Sequence, residues 1–400
     1  MDSQDLSENE WVIKCVMRCL NIANEDLIPV MEIVLSKLTV AITRVARNPK
    51  NPEYTHYVFE SIAVLIRALC LRDPYLTGSF EALLFPLFQD VLQGHVLELS
   101  PYIFQVIAQL LEYCPNEAGL GEVYMSLLPQ CLSSALWERR GNVPALTQLI
   151  HAYLRKPAAA SVLEQNLEGI HGVFKKLLSD GMTNSIRGIN ECAFEILDAV
   201  FAHVSTEFLS PYFEQTFDIL MQSYCHVCDM SPTKPTQLKH FVKLLTNFFA
   251  LYTGRYGSGL FFTCLDATTD ATTPKGYSLR FIKEVWIPKL LEDLPRRMEA
   301  KVQVIGLTKL LCATPVWQSN EAWTCTLVGL VTVLSNSSVN IGNNEIIDIS
   351  ADAPIGYDAQ YSKLAFARQP ADDPFPRIDP QNFFLRELHS LSTEVGTSSG

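Results

Sequence analysis

The hydrophobic residues of this chain recur at steps of three and four positions along most of its length. This is the period of an amphipathic α-helix. In residues 57–69 the charged side chains of Glu60 and Arg67 lie off a stripe formed by Phe59, Ile62, Leu65, Ile66 and Leu69. Alternation with a period of two is nearly absent, and the β-branched run at residues 327–334 fits helical steps equally well. The pattern predicts an all-α chain.

One helical segment recurs farther along the chain. Residues 57–63 and 102–108 align as Tyr-(Val/Ile)-Phe-x-x-Ile-Ala, 45 positions apart. This separation matches a two-helix HEAT or armadillo repeat, which has about 40–47 residues. One such hairpin cannot bury its apolar face alone, so successive hairpins stack. We therefore predict an α-α superhelix, a HEAT/ARM-like solenoid, over residues 1–334.

The helical period lapses after Ser335. Residues 346–354 show no helical repeat, and residues 369–380 are rich in Pro and Asp, which are typical of loops. The sequence thus predicts that residues 335–400 form an irregular loop with short helices. The last five residues, 396–400, are small and polar and are predicted to be disordered.

Prolines mark a second recurrence. An apolar residue followed by proline occurs at Pro29, Pro86, Pro129 and Pro288, with a variant at Pro211. Proline is tolerated in the first turn of a helix because its missing N–H is not used there. Each of these prolines is therefore predicted to begin a helix.

Composition narrows the classes of function. A single compact core stops growing at about 250–300 residues, so 400 residues favour an extended array. The net charge of −12 argues against nucleic acid as a ligand. The N-terminus is acidic and does not resemble a signal peptide. Residues 322–334, the longest uncharged apolar stretch, are fewer than the roughly 20 that cross a bilayer. We expect no membrane insertion and an intracellular protein.

No set of residues converges on catalysis. Cys225, His226 and Cys228 lie within one helical turn, but a structural zinc site needs four ligands, and no second pair follows nearby. The glycine-rich residues 254–259 follow a helical stretch, whereas a phosphate-binding loop follows a strand. The sequence therefore predicts a protein that is not an enzyme and has no cofactor and no metal.

The most unusual segment is Leu136-Trp137-Glu138-Arg139-Arg140-Gly141-Asn142-Val143-Pro144. Gly-Asn is typical of a helix end and Pro of the next helix start, so these aromatic and charged side chains lie at the corner of a hairpin. Trp and Arg are common anchors of protein interfaces. Alternatively, Trp137 packs between repeats while Glu138 and Arg139 pair locally. The sequence leaves both interpretations open.

The segment 136–146 resembles the motif Leu-Trp-Glu-Arg-x-Gly-Asn-x-Pro-Ala-Leu of the CAS family of exportins, within the importin-β superfamily. Further blocks match this family in the same order, from about Trp11 to the C-terminus. They are residues 59–62, 84–92, 101–106, 306–311, 347–349, 353–357 and 362–367. Because these blocks fall in the family's C-terminal portion, the chain is similar to that part of the receptor.

The resemblance implies a HEAT-repeat nuclear export receptor with importin-α as its cargo, Ran-GTP as a second partner and nuclear pore FG-repeat proteins as further contacts. It also implies shuttling between nucleus and cytoplasm through the nuclear pore. The residues predicted to contact partners are Trp137, Glu138, Arg139, Asn142, Asp348, Tyr357 and Lys363. The alternative is a generic HEAT-repeat scaffold for a protein complex, such as a phosphatase regulatory subunit.

Overall fold

The computed structural model describes residues 8–184, 187–230, 232–267, 276–313, 320–336, 363–367 and 373–398. Within these ranges the backbone forms helices, turns and short irregular segments, and no strand. The predicted loop at residues 268–275 lies outside them, as do residues 337–362, on which several predictions fall. The run at 327–334, which we predicted to be helical, belongs to the helix Glu321–Ser335.

The α-helices are α1 Glu10–Ala23, α2 Met31–Arg47, α3 Pro52–Cys70, α4 Thr77–Gln93, α5 Ser100–Tyr113, α6 Glu122–Cys131, α7 Ser134–Trp137, α8 Asn142–Leu154, α9 Ala160–Gln165, α10 Leu167–Asn184, α11 Arg187–His203, α12 Thr206–Leu209, α13 Phe213–Met230, α14 Pro235–Tyr256, α15 Ser258–Ala267, α16 Tyr277–Phe281, α17 Ile287–Glu292, α18 Arg297–Leu311, α19 Glu321–Ser335 and α20 Pro380–Ser398.

The chain divides into two compact units. The first contains Met1–Phe174 and Glu345–Pro370, and the second contains Lys175–Asn344 and Ala371–Gly400. This division differs from the boundary predicted at residue 335, because each unit includes part of the C-terminal region. Parts of that region, residues 363–367 and helix α20, pack against helices of the first and the second unit respectively.

In the first unit, α1, α3, α5 and α8 pack side by side in that order, and α2 and α4 pack against this layer from outside. Helix α3 begins where the Asn51 side chain accepts a hydrogen bond from the N–H of Tyr54 (3.0 Å), with Pro52 in the first turn. Side chains around most of the circumference of α3 and α5 are buried. This is expected for helices covered on several sides.

The predicted 45-residue repeat is confirmed in this layer. Its two copies lie on α3 and α5, which are neighbours, and the rings of Phe59 and Tyr102 stack with their centroids 5.0 Å apart. The Gln109 side chain of α5 donates a hydrogen bond to the Ala63 carbonyl of α3 (2.9 Å). The two copies of the repeat therefore pack directly against each other, as stacked hairpins require.

In the second unit, α11, α14 and α18 form a layer, with α13 and α15 packed against α14 and α19 against α18. Helices α14 and α18 approach closely at Gly306. A Cβ atom added to this glycine would lie 2.2 Å from the carbonyl oxygen of Ala250. The absence of a side chain at position 306 is thus what permits the close packing of these helices.

The prediction that each repeated proline begins a helix is right for Pro288 of α17, and Pro211 begins a short 3-10 turn before α13. It is wrong for Pro86 and Pro129, which lie inside α4 and α6. Pro29 lies within the 3-10 segment that precedes α2. An interior proline removes one hydrogen bond from the helix, but burial of the apolar faces of α4 and α6 offsets that loss.

The C-terminal region contains a longer helix than the short ones predicted. Helix α20 has 19 residues and includes positions 396–398, where disorder was predicted. It begins where the Asp379 side chain accepts a hydrogen bond from the N–H of Asn382 (2.8 Å), and its Phe383 and Phe384 side chains are buried. An N-cap and an apolar face are sufficient to form a helix that packs on α18. Residues 399 and 400 lie outside the described residues.

Candidate partner-binding site

The corner between α6 and α8 is held from inside by Trp137. Its side chain is 2% exposed, and its Nε1 atom donates a hydrogen bond to the carbonyl of Cys131 (2.8 Å) at the end of α6. Buried indole N–H groups usually find such a partner. The expected direct contact of Trp137 with a partner protein is therefore corrected to a positioning role, because its side chain is enclosed by the chain itself.

Asn142 holds the end of this corner that leads into α8. Its side chain is 1% exposed and its Nδ2 atom donates to the carbonyl of Leu136 (3.1 Å). Its backbone N–H donates to the carbonyl of Arg139 (3.0 Å), which closes the turn before α8. As with Trp137, burial corrects the predicted partner contact of Asn142 to a positioning role.

Glu138, Arg139 and Arg140 occupy the exposed tip of the corner. Within the described part of the chain, their side chains make no hydrogen bond or ion pair, so the local pairing of Glu138 with Arg139 that we considered is not formed. Three charged groups on a rigidly held turn can form ion pairs with a partner without rearrangement of the backbone. Of the predicted site residues, Glu138 and Arg139 are accessible at the corner.

The other predicted residues are farther along the chain. Asp348 and Tyr357 lie outside the described residues. Lys363 is exposed and immediately precedes a buried segment, Leu364 to Ala367, which we call the clasped segment. The predicted site residues therefore occur on at least two separate pieces of chain.

The clasped segment is bound through its main chain by polar side chains of α3, α5 and α8. The N–H groups of Leu364, Ala365 and Phe366 donate to Gln105 Oε1 (2.8 Å), Glu60 Oε1 (2.6 Å) and Glu60 Oε2 (3.3 Å). The carbonyls of Phe366 and Ala367 accept from Gln109 Nε2 (3.0 Å) and Gln148 Nε2 (3.0 Å). A short bent piece of backbone thus has five of its polar groups hydrogen-bonded to side chains of three neighbouring helices.

The sequence analysis did not predict that side chains of these helices bind the clasped segment. The available signal was the presence of Glu60, Gln105 and Gln109 within helices that are otherwise apolar on most sides. Buried polar side chains are nearly always hydrogen-bonded, so they indicate a partner. Neither the spacing nor the composition of α3 and α5 identifies that partner as residues 364–367.

Glu60 and His56 form a buried titratable pair on α3. Burial raises the pKa of the Glu60 carboxyl to about 7, although the N–H groups of Ala365 and Phe366 lower it in part. Burial also lowers the pKa of His56 to about 4, and the charge of Lys14 adds to this effect. His56 Nε2 lies 3.6 Å from Glu60 Oε1. Burial therefore favours the neutral form of both groups.

The shifted pKa values of Glu60 and His56 predict how Glu60→Gln changes the pH dependence of the unfolding free energy. The raised pKa of Glu60 stabilises the fold below pH 4.5, and this contribution is lost as the pH rises to about 7. The lowered pKa of His56 stabilises the fold above pH 6.5, and this contribution is lost as the pH falls to about 4. The two slopes oppose each other between pH 4.5 and 6.5. Removing the Glu60 carboxyl should make the unfolding free energy rise more steeply with pH in this window than in the natural chain.

Urea unfolding at half-unit pH steps would measure these slopes. Glu138→Gln, at an exposed carboxyl, is the matched control and should leave the slope of the natural chain unchanged. Equal slopes for Glu60→Gln and the natural chain would contradict the assignment of a raised pKa to Glu60.

The described residues offer no metal centre and no membrane span. Cys225 and Cys228 lie on α13, but no three His, Cys, Asp or Glu side chains among the described residues are grouped so that they could hold a metal ion. In the same residues, no helix combines the length and apolar character that crossing a bilayer requires.

Comparisons with known proteins agree with the fold. The family model described as CAS/CSE protein, C-terminus, matches residues 1–398. Exportin-2 of Danio rerio is 33% identical over 397 residues, and Exportin-2 of Homo sapiens is 32% identical over 397 residues. Each of these matches covers 97% of this chain and 38% of the relative.

A solved structure of the exportin Cse1 in its cargo-free, cytoplasmic state superposes with a TM-score of 0.76, at 23% sequence identity. That match covers 98% of this chain and 38% of the Cse1 chain. It confirms the predicted fold class, an all-α solenoid of stacked helical hairpins. The chain spans less than half the length of these relatives, and by its sequence and fold it belongs to the C-terminal CAS/CSE family of exportins.

Proposed function

We propose that this chain is part of a nuclear export receptor that binds importin-α together with Ran-GTP and returns it from the nucleus to the cytoplasm. The observation that supports this most is the family match over residues 1–398. The relatives are named exportins, and we propose that this chain is a binding scaffold rather than an enzyme. The proposal includes shuttling between nucleus and cytoplasm and contacts with nuclear pore FG-repeat proteins.

The exposed corner supports a binding role for this part of the receptor. Arg139 and Arg140 are exposed on a turn that Trp137 and Asn142 hold in place from inside. Arginine carries a permanent charge and can bind carboxylates with two parallel hydrogen bonds. We propose that this tip contacts acidic side chains of a partner protein, and that Glu138 contributes to orientation by repelling other carboxylates.

The nucleotide state of Ran gives the direct test. If Ran-GTP and importin-α stabilise each other on the receptor, the affinity for importin-α must rise when Ran-GTP is present, since such coupling is reciprocal. The affinity of the chain for importin-α should be measured by biolayer interferometry with Ran-GTP and with Ran-GDP. Stable binding that is the same in both states would instead favour a generic HEAT-repeat scaffold.

Arg139→Glu tests the contribution of the corner. Reversing one exposed charge at an interface should weaken partner binding by about tenfold, mainly through slower association, and the effect should shrink at high salt. The melting temperature should change little, because Arg139 is exposed and makes no side-chain hydrogen bond or ion pair with any described residue. Lys175→Glu, at an exposed position of α10, is the matched control. Equal affinities for the two variants would exclude the corner from the interface.

A further inference from the structure

A polar cavity of about 220 Å³ lies in the second unit where α14 begins. Asn190 of α11 and Lys234, Thr236, Gln237 and His240 contribute to its walls. In the described part of the chain, no side chain caps the N-terminus of α14. Neither the family resemblance nor the proposed corner interface involves this cavity.

Gln237 is the unusual member of this cavity. Its side chain is 91% buried, because its exposed fraction is only 9%. Both of its polar atoms, Nε2 and Oε1, are buried and have no hydrogen-bond partner among the residues that the structure describes. Leaving a buried donor and a buried acceptor unpaired costs free energy, whereas an apolar side chain of the same length would avoid that cost. The amide therefore indicates a partner that the folded chain does not itself supply.

The chemistry of the amide restricts that partner. One carboxamide offers a donor and an acceptor side by side, whichever way its two atoms are assigned. A phosphate or carboxylate supplies acceptors only and leaves the carbonyl oxygen unpaired. A guanidinium supplies donors only and leaves the NH₂ group unpaired. In an extended peptide the N–H and the C=O of one residue point to the same side, so they satisfy both atoms of the carboxamide.

The surrounding charges have both signs, so they favour neither an anion nor a cation. Lys234 lines the wall, and His240 Nε2 lies 3.2 Å from Glu191 Oε1. Asn190 is 2% exposed, and its Oδ1 atom lies so close to Gly181 that a Cβ there would be 1.8 Å away. Asn190 Oδ1 has no hydrogen-bond partner among the described residues either, but only Gln237 presents both an unpaired donor and an unpaired acceptor.

The first unit shows that this chain uses the same chemistry elsewhere. Gln105 accepts from the N–H of Leu364, and Gln109 donates to the carbonyl of Phe366. There, glutamine side chains on a layer of packed helices bind the main chain of a short segment that bends at Ala365. Gln237 belongs to α14, which is a member of the corresponding layer in the second unit, and has no such segment among the described residues.

We propose that this cavity binds the main chain of an extended peptide segment of a protein partner, with the Gln237 carboxamide pairing with the N–H and the C=O of one residue. The proposal is independent of the nuclear export function and of the Arg139 corner. It defines a second interaction surface on the chain, selective for backbone in an extended conformation rather than for a charged side chain.

NMR of the chain labelled with [¹⁵N]glutamine tests the proposal. The probe is the tetrapeptide acetyl-Leu-Ala-Phe-Ala-amide, whose sequence is that of the clasped segment. The side-chain signal of Gln237, identified by its loss in Gln237→Met, should shift saturably on titration. The same peptide with every backbone nitrogen methylated and a C-terminal dimethylamide cannot donate hydrogen bonds and should bind about tenfold more weakly or not at all.

Two comparisons test whether the Gln237 amide binds a ligand or only stabilises the fold. Gln237→Met should melt no lower than the natural chain, whereas Gln105→Met should melt lower because its amide is hydrogen-bonded to Leu364. In a second sample labelled with [¹⁵N]asparagine, the peptide should shift the signal of the neighbouring Asn190 in the natural chain but not in Gln237→Met. The proposal is overturned by the absence of a saturable shift, by equal binding of the methylated peptide, or by a shift produced equally by inorganic phosphate. The peptide comparisons use the natural chain, so they remain decisive even if a variant fails to fold.

Discussion

Trp137→Ala should lower the unfolding free energy by about 3–5 kcal/mol, the cost of removing a fully buried aromatic side chain. The indole is 2% exposed, so nearly all of its surface is in contact with the chain itself. Its truncation also removes the hydrogen bond to the Cys131 carbonyl (2.8 Å), which then lies unpaired at a helix end. The corner that carries Glu138, Arg139 and Arg140 should lose its fixed geometry at the same time.

The measurement is urea unfolding followed by circular dichroism, combined with partner binding. Trp137→Phe keeps most of the apolar contact and removes only the hydrogen bond and part of the volume, so its cost should be about half as large or less. Arg140→Ala, on the exposed tip of the same corner, should stay within about 0.5 kcal/mol of the natural chain. A Trp137→Ala variant as stable as Arg140→Ala would show that the indole does not hold the corner.

Gly306→Ala should destabilise the second unit by about 3 kcal/mol, the upper end of the usual cost of overpacking. The added Cβ would lie 2.2 Å from the Ala250 oxygen, 2.6 Å from its Cα and 2.7 Å from its carbonyl carbon. Because all three are backbone atoms, no side chain can turn aside, and α14 and α18 must move apart. The higher helix propensity of alanine, about 1 kcal/mol, is too small to compensate.

Gly172→Ala is the matched control for this substitution. Gly172 lies within α10, is exposed, and an added Cβ there meets nothing within 4 Å. The same chemical change should stabilise the chain at this position by about 1 kcal/mol, through helix propensity alone. Thermal unfolding should therefore give shifts of opposite sign for the two variants, with a decrease on the order of 10 °C for Gly306→Ala. A small or positive shift at Gly306 would show that the helices separate at little cost.

The corner residues show how far sequence reasoning reached. The motif identified the corner, and the two interpretations of Trp137 were both physically reasonable, because tryptophan is common in cores and in interfaces. The structure shows that the Trp137 side chain is buried, which favours the packing interpretation. The Arg139 side chain is exposed and therefore remains available to a partner. A side chain's exposure depends on every element packed around it, so a local motif could not determine it.

The polar residues of the inner helices show a second limit. Glu60 and Gln109 interrupt apolar helices, which indicated that something polar must meet them. Their partners lie 305 and 257 positions away along the chain. No periodicity connects positions that distant, and the pairing depends on where an irregular segment packs after the helices have formed.

The sequence by itself determined the helical class, the 45-residue repeat and the family, because each depends on residue types at short and regular spacings. Only the tertiary structure decided which polar side chains are buried, which charged residues remain accessible, and that residues 363–367 pack against α3, α5 and α8. The physical reason is that helix formation is governed by interactions within about four residues. Burial and hydrogen-bond pairing are instead settled by contacts between segments that the chain brings together from hundreds of positions apart.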